Sequence, residues 1–315
     1  MGTPDGTPPD GTPDGTPDRT LEGARIAVVG LGLMGEPMAR NLRAAGASVV
    51  VHNRSRAPQE ALAADGFETA DSPAEAARAV GSDGVLICMV TDTGAARRVL
   101  TDPERGAIAG AAAGALMIDM GTTQVMDTRE MAEAFAARGV DYIDAPVSGG
   151  QVGAEQASLS IMAGGSDEAF ARAEPIFRAL GRNITHVGAV GAGQVAKTAN
   201  QMIVALTLGA VAEAFVLAER AGVDAGKVRE ALTGGFADSR ILELHGARMV
   251  RRAFTPGGRV TVQRKDVDQA LALADAVGVA LPGLQRNKTL WDALVEAGGG
   301  ELDHSAVIKA IDPAW

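Results

Sequence analysis

One lysine of this 315-residue chain stands out by its company. Lys197 lies in GAGQVAKTANQ, running from Gly191 to Gln201, with Val195, Ala196, Ala199 and Met202 around it. On a helix, Gly193, Asn200 and Gln201 fall at i−4, i+3 and i+4 and share its face, so the lysine sits in a small polar patch of an apolar element. Such a lysine ordinarily reaches water along its methylene stem, but this neighbourhood gives it little cause to. Burial lowers an ammonium pKa from about 10.4 toward neutrality. Lys197 is therefore a candidate general acid or base, with Asn200 holding the substrate or the lysine in place.

A second chemical element is the glycine-rich turn near the start. Gly30, Gly32 and Gly35 form G-x-G-x-x-G directly after the β-branched run RIAVVG and at the entry to a helical pattern. In that position the first glycine permits a tight turn, the second lets a pyrophosphate approach the backbone, and the third packs helix on strand. The helix N-terminus offers free N–H groups to the phosphates, so Gly30, Leu31, Gly32, Leu33, Met34 and Gly35 are the expected dinucleotide contacts. Met89 and Val90, which end the apolar run GVLICMV, join that set. The second strand, SVVVHN, should end in an acid that grips the ribose 2′-hydroxyl of NAD. Asn53 stands there instead, followed by Arg54 and Ser55. A guanidinium suits a 2′-phosphate, which predicts NADP(H) in preference to NAD(H), with NAD(H) still usable. A third segment, DAPVSGG from Asp144 to Gly150, closes a predicted strand at the end where open α/β sheets bind ligands. The Ser148 hydroxyl and the unhindered N–H groups of Gly149 and Gly150 could hold a carboxylate there, or form an ordinary serine-glycine turn.

These residues need a frame, and hydrophobic periodicity supplies one. Residues 25–30, 48–53, 84–90, 115–120 and 140–147 read as strands separated by helical stretches. Such alternation implies right-handed crossovers and a parallel sheet covered on both faces. Residues 158–165 and 183–188 read as later strands extending the sheet, in an orientation the pattern does not specify. From about Val190 a helix of nearly thirty residues runs to Gly222, and further helical segments follow at 224–233, 241–249, 265–277, 282–296 and 304–311. The expected organisation is an N-terminal doubly wound Rossmann domain over residues 21–188 and an all-helical substrate and dimerisation domain over 189–315, joined by the long helix. That helix is apolar almost all round, which predicts burial on most sides within its domain or against another subunit, hence a homodimer or homotetramer.

Composition narrows the function. The formal net charge of −10 opposes the phosphate contacts that dominate nucleic-acid affinity, so no nucleic-acid partner is expected. The single cysteine, Cys88, sits in an apolar strand, which excludes an intrachain disulfide and points to the cytoplasm. The opening repeat of Thr, Pro, Asp and Gly has nothing apolar to bury, so residues 1–20 read as a disordered tail with neither a signal peptide nor an anchor. No run approaches about eighteen uninterrupted apolar residues, so no membrane partner is expected. The four histidines, His52, His186, His245 and His304, show no ligand spacing with one another or with Cys88, so no metal is expected.

Together the motifs resemble those of the β-hydroxyacid dehydrogenase family. GLGLMGEPMARNL resembles the family's cofactor signature, DAPVSGG its substrate signature, GAGQVAKTANQ its catalytic signature, and KDVDQAL, from Lys265 to Leu271, its C-terminal cofactor segment. The resemblance implies that Lys197 is catalytic and that Ser148, Gly149, Gly150, Asn200 and Gln201 meet the substrate. It also implies that Thr122, in DMGTTQV, and Lys265 reach the cofactor. Gln201 after Asn200, GGFADSRIL at 234–242 and LDHSAVI at 302–308 are most similar to the branch that reduces tartronate semialdehyde. That implies reduction of a small aldehyde acid, 2-hydroxy-3-oxopropanoate, to glycerate. Oxidation of 3-hydroxyisobutyrate or another 3-hydroxy acid, or reduction of another semialdehyde, is the alternative. Decarboxylating relatives carry an acid seven residues after the lysine, where this chain has Val204; imine-reducing relatives generally replace the lysine. A noncatalytic NADP(H)-binding scaffold would have no use for Lys197 and Asn200. Two positions depart from the family pattern: Gly121 stands where serine is common, and Ala157 where glycine is common.

Overall fold

A computed structural model describes residues 21–315; the expected tail lies outside them. The first half alternates strand and helix: β1 (Arg25–Val29), α1 (Gly35–Ala44), β2 (Ser48–His52), α2 (Arg56–Ala64), β3 (Glu68–Thr69), α3 (Pro73–Val80), β4 (Val85–Cys88), α4 (Thr93–Thr101) and α5 (Ala107–Gly110). It continues with β5 (Leu116–Asp119), α6 (Val125–Ala136), β6 (Asp141–Asp144), β7 (Val147–Ser148), α7 (Gly150–Glu155), β8 (Leu159–Gly164), α8 (Asp167–Arg178) and β9 (Gly181–Gly188). The strands form one sheet in the order β3-β2-β1-β4-β5-β6-β8-β7, with β9 on β8. From β3 to β6 every pairing is parallel. Central strands of such a sheet are covered on both faces and so carry unbroken apolar runs; β4 and β5 are buried at every residue. Met38, Leu42, Ile87 and Phe177 fill one face, and Leu86, Leu100, Met117 and Phe135 the other.

The later strands extend the sheet as expected, and their direction is now fixed. β8 runs antiparallel to β6 and β7, and β9 runs parallel to β8. Ala157, just before β8, has φ +48°, the left-handed conformation that glycine adopts freely. The departure from the family pattern thus places a side chain on a strained turn, at a cost of about 1 kcal/mol.

The second half is helical: α9 (Ala192–Arg220), α10 (Ala225–Leu232), a π turn at Leu242–Gly246, α11 (Ala247–Val250), α12 (Val260–Ala276), α13 (Pro282–Glu296) and a 3-10 helix at His304–Ala310. Phe215, Trp291, Leu208 and Val307 lie at the centre of its core. α12 begins five residues before the expected Lys265 because long-range partners rescue its β-branched first turn. Val260 N donates to Leu302 O at 2.9 Å and Thr261 N to Gly300 O at 3.1 Å, satisfying donors that a helix start leaves free. α9 is long and apolar enough to cross a membrane by length and composition. It is nevertheless a core helix, with Ala205, Leu208, Ala212 and Phe215 fully buried. The expectation of burial on most sides holds for only part of it within one chain: Ile203 and Leu217 remain 65% and 72% exposed.

Candidate active site at the sheet crevice

The chain leaves β1 toward β2 and β3, then returns to β4 on the other side, so strand order reverses between β1 and β4. A crevice opens at the carboxyl ends of those strands, the usual ligand position in this architecture. Gly30 follows β1 with φ +99°, and a Cβ there would stand 2.3 Å from Met89 O. At Gly35 a Cβ would stand 1.8 Å from Gly30 O, whereas at Gly32 nothing lies within 4 Å. The turn is hemmed in by backbone at the first and third glycines and open at the second, the shape a pyrophosphate requires. Leu31 is buried, while Gly32 and Leu33 face outward.

Asn53 ties this turn to the end of β2. Its Oδ1 accepts from Leu31 N at 3.0 Å, and its Nδ2 donates to Ser55 O at 2.9 Å. The side chain standing in place of the usual acid is therefore a brace, and the exposed Arg54 beside it is the group turned to solvent. Gly30, Gly32, Asn53, Arg54, Met89 and Val90 line a single cleft of about 1000 Å³, large enough for a dinucleotide. Ser55 caps α2 by position alone, without a side-chain hydrogen bond.

Lys197 is 7% exposed. Val195 and Ala199, expected beside it as apolar cover, lie on the outer side of α9, so the burial comes from other elements. Its Nζ donates to Gln201 Oε1 at 3.0 Å, and Asn200 Nδ2 donates to the same oxygen at 2.8 Å. Gln201 Nε2 in turn donates to Asp266 Oδ2 at 2.5 Å. Burial pushes the Lys197 ammonium down to about 8; the Asp266 carboxylate opposes that shift and the Lys265 charge adds to it. Asp266 was not among the expected site residues, although it directly follows Lys265. Only the packing of α12 on α9 shows that it faces the lysine network. Gln201, expected at the substrate, has its oxygen engaged by the lysine and the asparagine.

Lys265 Nζ reaches across the crevice to Thr91 O at 3.2 Å and Thr122 O at 3.5 Å, and pairs with Asp266 Oδ1 at 2.9 Å. It thus spans the loops after β4 and β5, with Thr122 on the second. In the Ser148 turn, Gly149 and Gly150 have φ +137° and +61°, conformations open to glycine, and both are exposed beside the half-buried Ser148. Gly121 also has a local reason to lack a side chain: a Cβ would meet Val90 O at 2.8 Å.

Two of the histidines assigned no common site are neighbours. His245 Nε2 and His304 Nε2 lie 3.3 Å apart, and His245 Nδ1 is 3.6 Å from Asp303 Oδ1. A separation of 59 positions hides the pair from any spacing argument. Asp303 already accepts from Arg248, Gly257 N and Gly258 N on one oxygen and from Ser305 on the other. Arg248 thus shares Asp303 with the histidine pair, and His245 Nδ1 is left buried with no hydrogen-bond partner. Burial pushes His304 down to about 4, which keeps the ring neutral.

Residues 25–188 match the family model described as the NAD binding domain of 6-phosphogluconate dehydrogenase. Residues 191–311 match the one described as NAD-binding of NADP-dependent 3-hydroxyisobutyrate dehydrogenase. The 2-hydroxy-3-oxopropionate reductase of Escherichia coli K12 is 42% identical over 290 residues, 91% of this chain and 97% of that protein. The chain belongs to the β-hydroxyacid dehydrogenase family. Like its relatives, this dehydrogenase is an NAD(P)-dependent oxidoreductase. Its fold superimposes on the 3-hydroxyisobutyrate dehydrogenase of Mycobacterium tuberculosis, solved with L-serine, at a TM-score of 0.83 and 33% identity over 92% of this chain and 99% of that one. The protein Psf3, solved with NADP+ and 2-OPP, gives 0.82 at 26% identity over 91% of this chain and 100% of that one.

Proposed function

We propose that this dehydrogenase reduces a small aldehyde acid, with 2-hydroxy-3-oxopropanoate to glycerate as the best-supported reaction and NADPH as the preferred reductant. A bound nicotinamide supplies the hydride that goes to the aldehyde carbon. Lys197 gives its proton to the developing alkoxide, Asn200 holds the substrate beside it, and the Ser148–Gly150 turn binds the substrate carboxylate. Gln201 and Asp266 hold the ammonium in place. The observation that carries this reading is Lys197 itself, a buried ammonium that burial brings down to about 8, with one acceptor and free donor capacity. The likeness to the Escherichia coli reductase supports the choice of substrate. Oxidation of 3-hydroxyisobutyrate or a similar 3-hydroxy acid uses the same groups in reverse. The single cysteine is buried and unpaired, in keeping with a cytoplasmic enzyme.

The test is nicotinamide absorbance with tartronate, succinic and methylmalonate semialdehydes, 3-hydroxyisobutyrate and a cyclic imine, each with both cofactors, in the wild type and Arg54→Ala. We expect tartronate semialdehyde with NADPH to give the highest kcat/KM. In Arg54→Ala the NADPH value should fall about 10- to 100-fold, the worth of one charge-assisted hydrogen bond, with NADH unchanged. Equal cofactor preference in both proteins would remove Arg54 from the account, and a best substrate from another class would replace the aldehyde acid.

A homo-oligomer is proposed from the apolar outer face of α9, where Val195, Ile203 and Leu217 are exposed. Exposed apolar residues grouped on one helix mark an interface. Light scattering at micromolar concentration should give a mass twice or four times the 32.1 kDa of one chain; a monomer would end this proposal.

A further inference from the structure

A buried amide joins the two walls of the site. Gln194 is fully buried in the first turn of α9. Its Nε2 donates to Gly121 O at 2.9 Å and its Oε1 accepts from Thr123 N at 3.1 Å, so it grips the backbone on either side of Thr122. Both ends of the bridge are anchored. On the loop side, Asp119 Oδ1 accepts from Gly121 N and Oδ2 from Thr123 Oγ1, each at 3.0 Å. On the helix side, Asp144 Oδ1 accepts from Gly191 N at 2.6 Å and Oδ2 from Gln194 N at 2.8 Å. Asp119 and Asp144 are register partners on β5 and β6. The helix start also rests directly on the sheet, since a Cβ at Gly193 would lie 2.2 Å from Met162 O.

An apolar side chain would fill this space without the desolvation an amide incurs, so packing alone does not explain a glutamine. Two hydrogen bonds of ordinary length fix the separation of loop and helix to within a few tenths of an ångström. That separation sets where Lys197, three residues further along α9, stands relative to Thr122. We propose that Gln194 is a positioning residue for reduction: it holds the Thr122 loop and the Lys197 helix at the spacing that hydride and proton transfer require. The inference rests on the roles given above to Lys197 and Thr122.

The test compares full-length wild type, Gln194→Met and Gln194→Glu for kcat, KM, NADPH affinity by fluorescence, and the isotope effect with NADPH deuterated at the transferred position. Gln194→Met keeps the length and loses both hydrogen bonds. Its kcat should fall about 10- to 100-fold, the scale of a 1 Å misplacement, with NADPH affinity within about threefold and a larger isotope effect. Gln194→Glu provides a pH readout that a space-filling role would not move. Protonated, its carboxyl can accept from Thr123 and donate to Gly121 as the amide does; ionised, it cannot donate. Its kcat relative to wild type should therefore recover as pH falls from 9 to 6, and this variant carries the test if Gln194→Met does not fold. Wild-type kcat and isotope effect in Gln194→Met, or a Gln194→Glu to wild-type ratio that ignores pH, overturns the proposal. Lys197→Ala separates the two ideas. Full turnover in that variant sinks the lysine assignment and this inference with it, whereas full turnover in Gln194→Met beside an inactive Lys197→Ala sinks the inference alone.

Discussion

Lys197→Ala should lower kcat for aldehyde reduction by about 10²- to 10⁴-fold, the usual worth of a positioned general acid, while NADPH affinity stays within about twofold. The split follows from position. Lys197 contacts Gln201 within α9 and is not among the residues that line the cleft shared by Gly30, Gly32 and Asn53. Dependence on pH gives a second check. Burial brings the ammonium down to about 8, so in the reducing direction kcat is level below that pH and falls about tenfold per pH unit above it as the donor loses its proton. Oxidation of the hydroxy acid needs the neutral amine and should rise through the same region. A stopped-flow profile in both directions tests the sign: parallel profiles would show that the titrating group is not the proton carrier. A wild-type rate in Lys197→Ala would move the chemistry to another residue.

Gly35→Ala should raise the NADPH Kd by more than about tenfold, a loss of about 1.4 kcal/mol or more, and should lower Tm as well. The new methyl carbon would lie 1.8 Å from Gly30 O, a clash with backbone and with no flexible side chain to yield. Relief requires α1 to move off β1, which spoils the phosphate-binding end of the helix and costs about 1–3 kcal/mol in stability. Gly32→Ala is the control. Nothing lies within 4 Å of a Cβ there, so the fold and Tm should be kept while the pyrophosphate loses its close approach to the backbone. Fluorescence titration and thermal melting of both variants decide the matter. An unchanged Kd in Gly35→Ala would mean that the turn does not form the dinucleotide site.

The histidine pair shows where spacing arguments stop. His245 and His304 come together only because the π turn and the 3-10 helix both pack against α9, and Arg248, which pairs with the Asp303 carboxylate beside them, is equally invisible in a linear reading. The start of α12 has a similar cause. Its first donors are met by Gly300 and Leu302, so local propensity, which disfavours Val-Thr-Val in a helix, was overridden from forty residues away.

The amino-acid sequence by itself determined the alternating frame, the glycine turn and the segment carrying the lysine, because each is written in residues within one or two turns or one strand of each other. Periodicity and glycine placement are local, and local chemistry survives folding. Tertiary structure alone decided which side of α9 is inward, that Asp266 meets Gln201, and that Asp119 braces the loop after β5 while Asp144 braces the start of α9. Those facts depend on strand order and on helix packing between segments far apart in the chain. A buried polar group's partner is fixed by where the whole fold leaves a donor or acceptor unmet, and no short stretch of residues records that.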